Sequence, residues 1–155
     1  MEANEEFKIL QWNANSIRQR KEFIQYLYEN EVDIACIQET QLKTHNKSDI
    51  KGYNIVRKYR NSERKGGVAT LIKESTSFMK KEVPSGLEAV HITVEYSKNT
   101  INIMNLYNPP GTNFPTEYLE TTITKNNTIL TGDFNAHHEE WTAAQNDANG
   151  LALEK

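Results

Sequence analysis

Residues 32–38 read VDIACIQ, apolar at nearly every position, and the run closes on an acid, Glu39. So short and continuous a run suits a strand buried on both faces, with further layers above and below it. The flanking sequence supplies candidates for those layers. Upstream, FKILQWN (residues 7–13) has a strand composition, and Ser16 with Gln19 three positions on makes a capping-box pattern. Behind it Ile17, Ile24, Leu27 and Tyr28 recur at helical spacing, which predicts an amphipathic helix over residues 17–30. These pieces form a strand–helix–strand unit.

Downstream the character changes. YNIVRKY, GGVATLIK, AVHITVEY and TINIMNLY are short β-rich runs separated by the turn-forming stretches RNSERKGG, VPSG and SKNT. Turns this short favour antiparallel hairpins. In AVHITVEY, Val90, Ile92, Val94 and Tyr96 alternate with His91, Thr93 and Glu95, so one face is expected to be buried and His91 to be a solvated strand residue. After NPPG, residues 115–123 suit a short helix before a last strand, TILTGDFN. The sum is a mixed α/β (α+β) architecture: two layers of sheet flanked by helices.

At 155 residues the chain suits one domain with its own core. Mean hydropathy is −0.73, but 9% aromatics argue against disorder. Eighteen basic against 21 acidic residues give a net charge of −3, so nucleic-acid contact would have to come from local patches. Cys36, the single cysteine, cannot form an intrachain disulfide and lies among apolar residues, as a core thiol would. The acidic start MEANEEF precedes no apolar stretch, and no run is long enough to cross a bilayer. The expectation is an intracellular protein, cytoplasmic or nuclear, with no membrane partner.

Placement of polar residues is more informative. Asn13, Glu39, Tyr107, Asp133 and Asn135 all fall at carboxyl ends of expected strands, where α/β proteins commonly build sites. Asn and Asp there also serve as turn formers, and a terminal Glu is often just solvated. Taken together they suit phosphodiester hydrolysis. Glu39 offers a hard cation such as Mg²⁺ one carboxylate, and Asp133 offers a base for water. Asn13, Asn135 and Tyr107 offer neutral hydrogen-bonding groups for phosphate oxygens.

WNAN, IQET, GGVATLI, NLYNPP and GDFNAHHEEW occur in an order that resembles the endonuclease/exonuclease/phosphatase superfamily. Within it, GDFNAHH-x-x-W and the later NDANGLAL are similar to endonuclease domains of jockey-like non-LTR retrotransposons. The resemblance implies a four-layered α/β sandwich of the DNase I-like type. It also implies a divalent cofactor, Mg²⁺ or alternatively Mn²⁺, and a DNA partner nicked to prime reverse transcription. A reverse transcriptase domain in the same natural polypeptide is a further implied partner. Residue by residue, Glu39 would bind metal and Asp133 would activate the attacking water. Asn135 and Tyr107 would hold phosphate, and Asn13 would sit by both metal and phosphate. Asn15 stands where many repair-type members carry an acid.

Asn105, with Arg57, Lys58 and Arg60 of RKYRNSERK, are candidate substrate contacts; the basic stretch is otherwise a solvated loop. His137, His138, Glu139 and Glu140 lack a second nearby ligand pair and are read as the rim of the site rather than a zinc centre. The resemblance also implies Ile-Asp-His-like and Ser-Asp-His-like motifs after GDFN, which these 155 residues do not contain. Residues 7–155 are therefore expected to form a partial domain, incomplete at its C-terminus, behind a tail at residues 1–6. The alternative is a catalytically inactive retroelement remnant with weak metal or DNA binding.

Overall fold

The computed structural model describes residues 6–14, 20–40, 50–58, 67–109, 111–123 and 127–135. The continuous apolar run becomes β2 (Ile34–Gln38), buried at all five positions. It pairs in parallel with β1 (Ile9–Asn13) after the crossover helix α1 (Arg20–Glu29), as a strand–helix–strand unit requires. The predicted helix start, with Ser16, Ile17 and Gln19, lies outside the described residues. At the other end the helix closes through Val32 N–H donating to Leu27 O, with Glu31 in the left-handed region at φ 49°.

The β-rich runs form β3 (Tyr53–Lys58), β4 (Val68–Lys73), β6 (Ala89–Tyr96) and β7 (Asn99–Tyr107). An additional edge strand, β5 (Phe78–Lys81), falls in a stretch that the alternation of apolar residues does not mark. α2 (Thr116–Ile123) and β8 (Thr128–Asp133) complete the described elements. Two mixed four-stranded sheets result, in the orders β1-β2-β4-β3 and β5-β6-β7-β8. Each contains one parallel pair, β1–β2 and β7–β8, with the remaining neighbours antiparallel.

Alternation along the strands sorts the apolar residues into three cores. Ile34 and Cys36 face Val90, Ile92 and Ile103 between the sheets. Ala35 and Ile37 point the other way, against Phe23 and Leu27 of α1. Met104 and Leu106 pack outward with Leu119 of α2. The layers therefore run helix, sheet, sheet, helix, and β2 is covered on both sides, which is why its sequence shows no alternation. The same geometry corrects the reading of His91. It is buried, at 9% exposure, and its Nε2 lies 2.9 Å from Asn102 Oδ1. The alternation in β6 was expected to leave one wet face, but that face also carries Ala89, covered from the α2 side. Cys36 is a core thiol with no exposure, as expected.

Candidate active site

Two parallel pairs in two packed sheets bring four carboxyl ends to one edge of the sandwich. In register, Asn13 pairs with Gln38 across β1 and β2, and Tyr107 with Asp133 across β7 and β8. Two side-chain hydrogen bonds join these rows between sheets. Asn13 Nδ2 donates to Asp133 Oδ2 at 2.5 Å, and the Tyr107 hydroxyl donates to Glu39 Oε1 at 2.7 Å. Asn135 N–H donates to the other Asp133 oxygen, Oδ1, at 3.2 Å. The structure thus gathers all five predicted strand-end residues. Tyr107 is buried, while Asn13, Glu39, Asp133 and Asn135 are half-buried, so acids and amides are held firmly yet reachable.

Two of these residues sit in the left-handed region, Glu39 at φ 52° and Asn135 at φ 45°. For glutamate that conformation is uncommon and costs on the order of 1–2 kcal/mol. Such local strain persists where surrounding contacts over-determine it. Around Asn135 those contacts are visible: its Nδ2 donates to Asn108 O at 2.7 Å, and Asn108 N–H donates to Asp133 O at 2.8 Å. Asn108 Nδ2 in turn donates to Phe134 O and Thr112 O. Buried at 2% exposure, Asn108 staples the turn after β7 to the turn after β8. It stands inside the quoted NLYNPP, yet nothing local in the sequence separates it from an ordinary residue before proline.

Gly132 has a related task. At φ +146° it brings β8 so close to β7 that an added Cβ would lie 1.8 Å from Leu106 O. Only glycine fits there, and the tight approach sets where Asp133 begins.

Beneath the edge runs a line of amides that starts at exposed Gln11 and ends in the buried side chains of Gln38 and Asn105. Gln11 Nε2 donates to Gln38 Oε1 at 2.6 Å, and Gln38 Nε2 donates to Asn105 Oδ1 at 2.7 Å. Asn105 Nδ2 reaches Ala69 O at 3.0 Å, with Ile37 O and Thr70 Oγ1 at 3.3 Å. Asn105 and Gln38 have no exposure. Asn105, expected to touch substrate, is placed instead as a tie between the two sheets. Gln38 is the residue that sequence reasoning missed, because a polar end to a buried strand looks like its exit to solvent.

The basic candidates lie further along the rim. Lys58 pairs with Val68, which pairs with Gln38, so it ends the same row two strands away. Its Nζ donates to Pro84 O at 2.9 Å, and burial holds the ammonium below its ordinary pKa, with Glu88 opposing and Lys80 reinforcing that shift. Arg57 is half-buried beside it. Arg60, Asn15 and the residues from His137 to Glu140 lie outside the described residues.

Among the described residues no group of three or more His, Cys, Asp and Glu side chains gathers to hold a metal. The donors present are carboxylates of Glu39 and Asp133 and amide oxygens of Asn13 and Asn135. That set fits Mg²⁺ or Mn²⁺, hard cations that keep several waters and need one or two carboxylates. It does not fit zinc, which takes nitrogen and sulfur ligands.

Comparison with known proteins identifies the family and the fold. The family model described as the Endonuclease/Exonuclease/phosphatase family matches residues 10–153. The chain is 29% identical over 157 residues to a probable RNA-directed DNA polymerase from transposon BS of Drosophila melanogaster. It is 24% identical over 153 residues to the one from the transposon X-element of the same organism. In both cases 94% of this chain is matched, and it spans 17% of the curated relative's length. Among solved structures, the endonuclease domain of TRAS1, a telomere-specific non-LTR retrotransposon, is similar at TM-score 0.74 and 15% identity. That match covers 96% of this chain and 68% of the other. The Xenopus laevis APE2 catalytic domain gives 0.70 and 19%, covering 96% and 67%. The fold is the DNase I-like α/β sandwich.

Proposed function

Because the chain belongs to the endonuclease/exonuclease/phosphatase family, we propose that it is the DNA endonuclease module of a non-LTR retrotransposon, cutting one strand by metal-dependent phosphodiester hydrolysis. The observation that carries this reading is the meeting of Asn13 with Asp133 and of Tyr107 with Glu39 at one edge. Glu39 and Asn13 are the residues that would hold Mg²⁺, which as a Lewis acid stabilises charge on a phosphoryl oxygen.

The other roles follow from the hydrogen bonds. Both Asp133 oxygens accept an N–H, from Asn13 and from Asn135, so the carboxylate is aimed rather than free to rotate. It accepts a proton from the attacking water while the new O–P bond forms. The P–O3′ bond breaks, the 3′ oxygen leaves and takes a proton from solvent water, and the phosphate remains on the 5′ side. Asn135 contributes a neutral donor close to Asp133. The Tyr107 hydroxyl already donates its hydrogen bond to Glu39, so its first service is to orient that carboxylate; donation to phosphate requires it to turn away. The exposed 3′ hydroxyl is a primer for reverse transcription, and the polymerase names of the two longer relatives favour such a domain in the natural polypeptide.

The test is conversion of supercoiled plasmid to open circle with Mg²⁺, with EDTA, and with Asp133→Ala. The expected result is nicking that needs Mg²⁺ and falls by about 10²–10⁴ in the variant, the usual scale for a lost acid–base group. A folded wild-type chain that leaves the plasmid supercoiled in Mg²⁺ overturns the proposal.

A further inference from the structure

The first sheet has β3 at one edge and the second has β5, and residues of both edges line one depression, so the two edges lie on the same side of the sandwich. Lys58, at the end of β3, reaches across to Pro84 O just beyond β5. Between the edges is a depression of about 300 Å³ whose walls carry Arg57, Lys58, Lys80 and Lys81, with Glu82 also on the wall. On a chain of net charge −3, four cations around one depression are a local concentration of the opposite sign. Lys80 and Lys81 are exposed, so their charges face water.

A second observation gives the patch a direction. Lys58 also lines a larger cleft of about 900 Å³ whose walls include Tyr107 and Asn108 of the candidate active site. The two depressions meet at Lys58. From Asp133 on β8 the path crosses β7 and β6 to reach β5, three strand spacings or about 14 Å. Lys81 stands level with His91 and Met104, about 10 Å back along β7 from Tyr107, so the offset is about 17 Å. One strand of B-DNA carries a phosphate for about every 3.4 Å of helix axis, so this offset corresponds to roughly five phosphates.

We propose that Arg57, Lys58, Lys80 and Lys81 form a track for the phosphate backbone of duplex DNA, engaging it about five phosphates from the bond held at Asp133. The inference rests on the nuclease reading and adds to it a second point of hold on the same substrate. Two points fix the duplex in orientation as well as position, which single contacts at the scissile phosphate do not. Edge lysines also discourage strand-to-strand aggregation, and that role alone predicts no dependence of DNA binding on them.

The experiment is fluorescence anisotropy with a labelled duplex in EDTA, over a range of salt, for wild type, the double variant Lys80→Gln/Lys81→Gln, and Lys21→Gln on α1. Each lost phosphate contact lowers the slope of log K against log salt by about 0.9, so the double variant should lose about 1–2 from the slope while Lys21→Gln keeps it. Equal slopes for wild type and the double variant, or no duplex binding by wild type, overturn the track. Because no metal is present, the result is independent of cutting. A slope that falls as expected in a chain that nicks nothing supports the track and counts against the nuclease.

Discussion

Tyr107 and Glu39 stand 68 positions apart on different sheets, and the phenol hydroxyl of the first donates to the carboxylate of the second at 2.7 Å. Removing the hydroxyl leaves the acid present but unaimed. Loss of such an outer partner usually weakens metal binding by 10–100-fold, so Tyr107→Phe should raise the Mn²⁺ Kd by about that much in calorimetric titration. Glu39→Gln should weaken it further. If Glu39→Gln titrates like wild type, Glu39 is not a ligand.

Gly132→Ala tests the close approach of β8 to β7. The new methyl group would lie 1.8 Å from Leu106 O, in a backbone conformation that alanine avoids. Strain of this kind costs about 1–3 kcal/mol before the clash is relieved. For a chain of this size each kcal/mol moves Tm by about 2–4 °C, so a fall of roughly 5–10 °C is expected by calorimetry. An unchanged Tm would mean that the two strands separate there without penalty.

The buried amide line makes a different demand. Gln38→Leu or Asn105→Leu each orphans a partner with no exposure, at about 1–3 kcal/mol for each unsatisfied group. Once one is replaced, much of the second loss has already been taken. The double variant should therefore be more stable than the sum of the singles predicts, with a coupling of about 0.5–3 kcal/mol in urea unfolding. Strict additivity would show that the 2.7 Å contact contributes nothing.

Cys36 gives the expected alkaline behaviour. Burial pushes its thiol from 9.0 up to about 12, against a smaller opposing pull from Thr70. Below pH 9 both folded and unfolded chains keep the proton, and burial contributes in full. Between about 9 and 12 the unfolded chain releases the proton that the folded chain retains, so stability falls as pH rises. The urea midpoint of wild type should therefore fall more steeply with increasing pH than that of Cys36→Ala. A difference that stays constant with pH would place the thiol in contact with water.

Much of the fold can be read from short windows. The unbroken apolar run of residues 34–37, the helical spacing of Ile24 and Leu27, and the alternation of Val90, Ile92 and Val94 each mark a segment that forms the expected element. β5 escapes notice because Phe78–Lys81 carries two lysines at an exposed edge, where few positions need to be apolar. His91 and Asn105 mislead for a common reason. A polar side chain in a strand looks wet until its partners are known, and those partners, Asn102 and Gln38, come from other strands.

By itself the sequence determined every described strand and helix except β5, and which polar residues stand at strand ends. Both depend on local periodicity and turn chemistry. Tertiary structure decided that Asn13 meets Asp133 across 120 positions, that Tyr107 aims Glu39, and that Gln38 and Asn105 tie the sheets together. Those contacts depend on the register and packing of two separate sheets. The alternation of one strand fixes the faces it presents, and the partners that meet those faces belong to strands distant in the chain.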